Sequence, residues 1–252
     1  MTTNLILYIL RAIAAIVLSA AAFVYVRKSF SGKTKSFFGG AGVYFIFYCL
    51  IYAVISTYLE MFTKVFDGIS NDFYYNLINI LLETLCVALG YFILFKVVIK
   101  KQYDNGIGLM SGVGFSSLLL LISRCLPSLV NVAISIMYIK NPEAGVLNIF
   151  EGNIYQISQA TSVWFFYDLL EMIFLFCIET AIAVTFYRVH RCENRKIWLL
   201  AAVILRIGAY FSISLKGKLN EALSVIILAA IAVIACGMAY SLVKPFVRKP
   251  EE

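Results

Sequence analysis

A chain of 252 residues that is 62% hydrophobic and only 14% charged, with a mean hydropathy of +0.90, carries more apolar surface than a water-soluble fold of this size can hide. Its formal charge of +7 does not point to nucleic acid, because the Lys and Arg residues fall in short clusters between apolar runs and form no extended basic stripe. Of the six cysteines (Cys49, Cys86, Cys125, Cys177, Cys192, Cys236), five sit inside apolar runs and none forms a C-x-x-C pair, which argues against a disulfide framework.

In chain order, the apolar segments predict seven membrane-spanning helices at about residues 4–26, 39–59, 73–98, 106–139, 160–187, 197–215 and 220–243. Stretches such as Ala12–Val26, Val43–Leu59 and Ala222–Val243 are uncharged and near the ~20 residues that cross a bilayer core. The first segment has no basic leader and no A-x-A cleavage site, so it is expected to remain as a span. Four prolines and no low-complexity tract imply one domain over residues 1–252. The expected fold is therefore an all-α, polytopic transmembrane bundle.

The fourth segment is too long for a simple crossing. Gly106 to Ile139 as continuous helix would measure ~50 Å against a hydrocarbon core of ~30 Å. Two complete spans there would invert everything downstream and separate Arg188–Lys196 from the other basic clusters. A single crossing is expected, broken or kinked near Arg124–Pro127, its second half tilted, re-entrant or projecting. Residues 140–158 then form the longest extracytoplasmic loop.

Charge bias sets the expected orientation. Thirteen basic residues fall on one side: Arg27, Lys28, Lys33, Lys35, Lys100, Lys101, Arg188, Arg191, Arg195, Lys196, Lys244, Arg248 and Lys249. The opposite loops hold four (Lys64, Lys140, Lys216, Lys218) with six acids, Glu60, Asp67, Asp72, Glu143, Glu151 and Glu221. Basic loops stay in the cytoplasm, which places the N-terminus outside and the C-terminus inside.

Ionisable residues within the spans are the chemical candidates, because charge in lipid is costly and turns inward to pair. They are Arg11, Glu83, Lys96, Arg124, Asp168, Glu171, Glu179 and Arg206. Counting residues from each span's entry predicts an outer network of Arg11, Arg124, Glu83, Asp168 and Glu171, and an inner pair of Glu179 with Arg206. Asp168, Glu171 and Glu179 are spaced to share one helix face. Mutual neutralisation that fixes helix packing accounts for such pairs without any catalysis.

Gly108 and Gly112 form a small-x-x-x-small pair, with Gly114 one step further, and predict close helix approach; a backbone-lined groove is the alternative. His190 is the sole histidine and falls in a basic loop, so no zinc site can be built from several histidines, and no metal site is expected. There is no G-x-S-x-G elbow. An active protease with unorthodox residues, Glu83 as base and Ser117 or its neighbour Ser116 as nucleophile, is a weak candidate, having no clear partner to activate the serine.

The order of several blocks resembles the YhfC family of bacterial membrane proteins, grouped with intramembrane metalloproteases of the CAAX-protease and PrsW type. The blocks are Tyr25-Val-Arg-Lys-Ser-Phe, the glycine-opened second span from Gly39-Gly40 to Tyr58, Leu82-Glu83-Thr84-Leu85-Cys86, Phe95-Lys96, Lys100-Lys101 and Gly112-Val113-Gly114-Phe115-Ser116-Ser117. The resemblance implies a first block Glu-Glu-Thr-x-Arg and a second Gly-His-Gly-Gly-x-Glu, whose carboxylates and His would hold a metal or activate water. Here Leu82 and Cys86 stand where Glu and Arg are expected, Val113 replaces the His, Ser117 replaces the Glu, and Arg206 takes the place of a later histidine. The expectation is thus a family scaffold without the metal-binding set: a pseudoprotease or scaffold in the bacterial cytoplasmic membrane, binding no cofactor. Its expected partners are the lipid bilayer and another membrane protein or transmembrane peptide. The alternative is a small transporter or permease component with a midplane site at the broken fourth segment.

Overall fold

The computed structural model describes residues 2–30, 32–62, 72–99, 105–140, 149–191, 197–216 and 220–247. Nearly all of them are helical and none lies in a strand. Among the described residues, seven helices are long and apolar enough to cross a membrane. The first is Thr2–Ser29; the second joins Thr34–Val43, a π-helical stretch Tyr44–Tyr52 and Ala53–Phe62. The third is Asp72–Ile93 with a π-helical end at Leu94–Val98, and the fourth runs from Asn105 to Lys140. A short helix, Glu151–Gln159, precedes the fifth span, Ser162–Arg191; the sixth is Ile197–Ser214 and the seventh Glu221–Val247. Among the charged residues used to orient the chain, Lys64, Asp67, Lys100, Lys101, Glu143, Arg195, Lys196, Lys218, Arg248 and Lys249 lie outside the described residues.

The fifth span is the hub of the bundle. It packs against the first, third, fourth, sixth and seventh, and 67% of its most apolar window is buried, against 17% for the second span. That difference explains where the charges went: only a helix wrapped by neighbours can place carboxylates away from acyl chains. At one end of the hub an aromatic cluster fills the core. Tyr91 and Phe95 lie parallel at 5.8 Å, Phe95 meets Tyr187 edge-on at 5.4 Å, and Tyr91 contacts Phe115 and Phe186 at 5.5 and 5.7 Å. Such offset and edge contacts suit the ring quadrupole.

The fourth span threads this core because it has almost no side-chain bulk on two faces. A Cβ on Gly112 would sit 2.7 Å from Thr180 Cα of the fifth span, and one on Gly108 would meet the Tyr187 side chain at 3.0 Å. On the other face a Cβ on Gly114 would be 2.0 Å from the Phe37 carbonyl oxygen of the second span. The glycine-rich stretch is therefore spent on backbone-to-backbone contact, which dispersion rewards in lipid.

The expected break in the fourth span is a change of helix type. The chain stays helical from Asn105 to Lys140, with a π-helical turn at Leu121–Cys125 immediately before Pro127. Proline has no N–H to give the carbonyl four residues back, and a wider turn absorbs the mismatch without ending the helix. Ser123 and Ser128 cap the disturbed ladder by donating their hydroxyls to the Leu119 and Arg124 carbonyls. The second half packs on the first span and on the short helix. The predicted long loop at 140–158 is corrected accordingly: helix begins again at Glu151.

Candidate functional site

Two buried ion clusters occupy the bundle, both organised by the fifth span. In the first, Arg11 grips Asp168 with both arms of one edge, Nε donating to Oδ2 at 2.7 Å and Nη2 to Oδ1 at 3.0 Å. Arg124 bridges Asp168 and Glu171, and Lys216 donates to the second oxygen of Glu171 at 2.7 Å. The two acids are three residues apart on one helix, so they stack on one face and the long Arg124 side chain reaches both. Asp168 and Glu171 are essentially inaccessible, whereas Arg124 and Lys216 keep about a fifth of their side chains exposed.

The second cluster is drier. Arg206 donates from Nη2 to Glu83 at 2.8 Å, from Nε to Glu179 at 2.9 Å and from Nη1 to Thr84 at 3.1 Å. Tyr210, one turn beyond Arg206, donates its hydroxyl to the same Glu179 oxygen at 2.8 Å and places its ring beneath the guanidinium, 4.4 Å from Cζ to ring centre. Arg206 and Glu179 are 1% and 0% exposed. A planar fork serving three acceptors at once is a task for Arg and not Lys.

This geometry corrects the sequence-level grouping. Glu83 does not join Arg11 and Arg124; it shares Arg206 with Glu179. The reason is depth. Glu83 lies about ten residues into the third span, Arg206 nine into the sixth, and Glu179 in the second half of a thirty-residue helix, which brings all three near mid-thickness, where "outer" and "inner" lose meaning. Lys216, counted as a loop residue, is a member of the first cluster, and Tyr210 and Thr84 are members of the second. Tyr210 could have been read from its i+4 spacing to Arg206; Lys216 leaves no such signal, since only tertiary structure brings it to Glu171.

With every group ionised, the first cluster holds three cations against two carboxylates and the second one cation against two. Glu171 and Glu179 are eight residues apart, about 12 Å along the helix. Opposite unit charges at that distance attract by about 1.4 kcal/mol at an effective dielectric near 20, so the two excesses partly compensate.

Ser117 does not meet Glu83. Its hydroxyl is buried without a hydrogen-bond partner among the described residues, while Ser116 donates to the Phe176 carbonyl at 3.3 Å. Lys96 is exposed near the end of its span, stacked over Phe92 at 4.8 Å. His190 is also corrected: it belongs to the last turn of the fifth span, with its ring 5.4 Å from Phe92.

A hub helix carrying three buried carboxylates, one of seven apolar helices among the described residues, defines a multi-pass α-helical membrane protein with a polar interior. A family model described as YhfC intramembrane metalloprotease matches residues 14–233, and the chain belongs to that family. Neither a curated protein nor a solved structure matches it.

The described residues do not fit the metal that the family description implies. Catalytic zinc takes three protein ligands and an open position. Among the described residues no three His, Cys, Asp or Glu side chains converge on such a point. Glu83 and Glu179 are joined through a guanidinium that already holds one oxygen of each. A divalent ion placed between them would face a fixed positive charge.

Proposed function

We propose that this chain is a metal-free member of its family, a pseudoprotease that keeps the bundle as a scaffold for another membrane segment in the bacterial cytoplasmic membrane. The observation that carries this reading is the Glu83–Arg206–Glu179 bridge. Arg206 stands where the family resemblance leads one to expect a histidine, and its permanent charge satisfies the carboxylates that would otherwise seek a cation. Support for a docking role comes from the second span, whose face bearing Phe45, Leu50, Val54, Tyr58 and Met61 is exposed and includes a shallow groove of about 410 Å³. A neighbouring helix fits that face by dispersion alone.

Elemental analysis of protein purified without chelator, together with a single-turnover assay on candidate membrane substrates, tests the reading. The expected result is substoichiometric metal and no cleavage. Stoichiometric zinc with chelator-sensitive cleavage would overturn it.

One observation favours a second reading, a permease component with a site at the disturbed fourth span: a cavity of about 660 Å³ opens beside Pro127. Flux across proteoliposomes that is abolished by filling this cavity would select the second reading; inert liposomes and a co-purifying membrane partner support the scaffold.

A further inference from the structure

The cavity beside Pro127 is bounded by Tyr8 and Arg11 of the first span, Val130 and Asn131 of the fourth, Asn153 of the short helix and Trp164 of the fifth. Its volume falls within the range of ordinary ligand sites. Its walls are of two kinds. One is aromatic and aliphatic; the other presents Arg11 with two asparagines that hydrogen-bond each other at 3.1 Å.

Arg11 is the telling group. It is 6% exposed, and Nε and Nη2 are both committed to Asp168. Nη1 makes no hydrogen bond among the described residues, and it is the edge of the guanidinium left to the cavity. A guanidinium edge that keeps no internal partner and lines a cavity is free to make a charge-assisted bond to an acceptor there. The charge of that acceptor follows from the neighbours. Asp168 is shared with Arg124, and Arg124 shares Glu171 with Lys216, which leaves one positive charge over in the cluster at the cavity wall.

The level in the membrane narrows the ligand further. Arg11 Cζ lies 5.2 Å from the centre of the Trp164 ring, and Trp164 is only two residues inside the start of the fifth span. Tyr8 packs against Trp164 at 5.6 Å with the rings tilted by 49°. Trp and Tyr pairs at span ends mark the headgroup region. From these observations we infer that the cavity is a binding site for the phosphate group of an anionic phospholipid, with Arg11 Nη1 as donor to the phosphate and the Leu126–Val130 wall against the glycerol and upper acyl carbons.

The shared chemistry is a singly charged phosphate oxyanion, so a soluble phosphate must be distinguished from a lipid one. Full-length protein in phosphatidylcholine nanodiscs is titrated with phosphatidylglycerol, with more phosphatidylcholine, or with inorganic phosphate, and read by melting temperature and native mass spectrometry. The expected result is one retained phosphatidylglycerol per chain and a raised melting temperature, with no such effect of phosphatidylcholine. Val130 is half exposed and touches none of the ion pairs, so Val130→Trp fills the cavity while sparing the cluster. It is expected to weaken phosphatidylglycerol binding by about tenfold or more without lowering the lipid-free melting temperature, because the charge-assisted bond to Arg11 is lost. Arg11→Lys, which keeps the charge and loses the fork, is expected to weaken it less. Equal retention of both lipids, or undiminished phosphatidylglycerol binding by Val130→Trp, overturns the site. Inorganic phosphate that protects as strongly as phosphatidylglycerol overturns the lipid assignment.

Discussion

Arg206 Nε lies 2.9 Å from Oε1 of Glu179, and neither side chain exposes more than 2% of its surface. A pair this dry is costly to break from one side, because the remaining charge stays buried; such losses run to about 3–5 kcal/mol. Glu179→Gln is therefore expected to lower detergent stability sharply. Adding Arg206→Gln to it should cost less than the sum of the single changes, by about 1–3 kcal/mol of coupling. Thermal melts of the four proteins measure this, and strict additivity would mean that the two side chains do not act as a pair.

The first cluster is expected to be graded by exposure. Arg11 is the most enclosed of its three cations, at 8% of its side chain, whereas Lys216 keeps 20% and sits in the turn just past its helix. Lys216→Met leaves Glu171 paired with Arg124, so about 1 kcal/mol is the expected cost. Arg11→Met strips Asp168 of a two-bond partner inside the bundle and should cost about 3 kcal/mol or more. Denaturation in a fixed detergent ranks the two; a larger loss at Lys216 would show that Asp168 does not depend on Arg11.

Glycine substitutions separate close packing from mere helix propensity. Gly114→Ala would drive a methyl against the Phe37 carbonyl, where the ideal position is only 2.0 Å away, and both partners are backbone. Folding should be lost or strongly impaired. Gly237, on the seventh span, meets nothing within 4 Å, and Gly237→Ala should be neutral or stabilising by up to about 1 kcal/mol. Expression yield and melting temperature of the pair decide it; a benign Gly114→Ala would mean that the second and fourth spans can separate at little cost.

What the sequence made legible follows from how local each signal is. Seven spans could be read because a bilayer demands about twenty apolar residues in a row, and that demand is written continuously along the chain. The disturbance near Pro127 could be read from one residue's missing donor, although its form, a π-helical turn in an unbroken helix, depends on what the first span and the short helix offer the second half to pack on. The membership of the buried clusters was less legible. Depth counting finds residues at a similar level but not which helices are neighbours, and Glu83 pairs with Arg206 because the third and sixth spans touch. Lys216 shows the limit most clearly: a lysine at a helix end reads as a solvated loop charge until the fold brings Glu171 to it.

Orientation is carried by the loops, and it makes the last prediction. Basic residues beside an anionic cytoplasmic leaflet gain about 1 kcal/mol each, so thirteen on one side against three on the other, Lys216 being drawn into the first cluster, predicts that the thirteen face the cytoplasm. In a variant whose other cysteines are replaced, Cys192, between the fifth and sixth spans in sequence, is expected to react with a membrane-impermeant maleimide only after the membrane of spheroplasts is opened. A cysteine introduced at Glu143 in the same background should react in intact spheroplasts. The two positions flank the hub helix, so their labelling must be opposite if the fifth span crosses at all. Labelling of Cys192 from outside would reverse the orientation, place the Arg11 cavity against the cytoplasmic leaflet, and leave the ion pairs within the bundle unchanged.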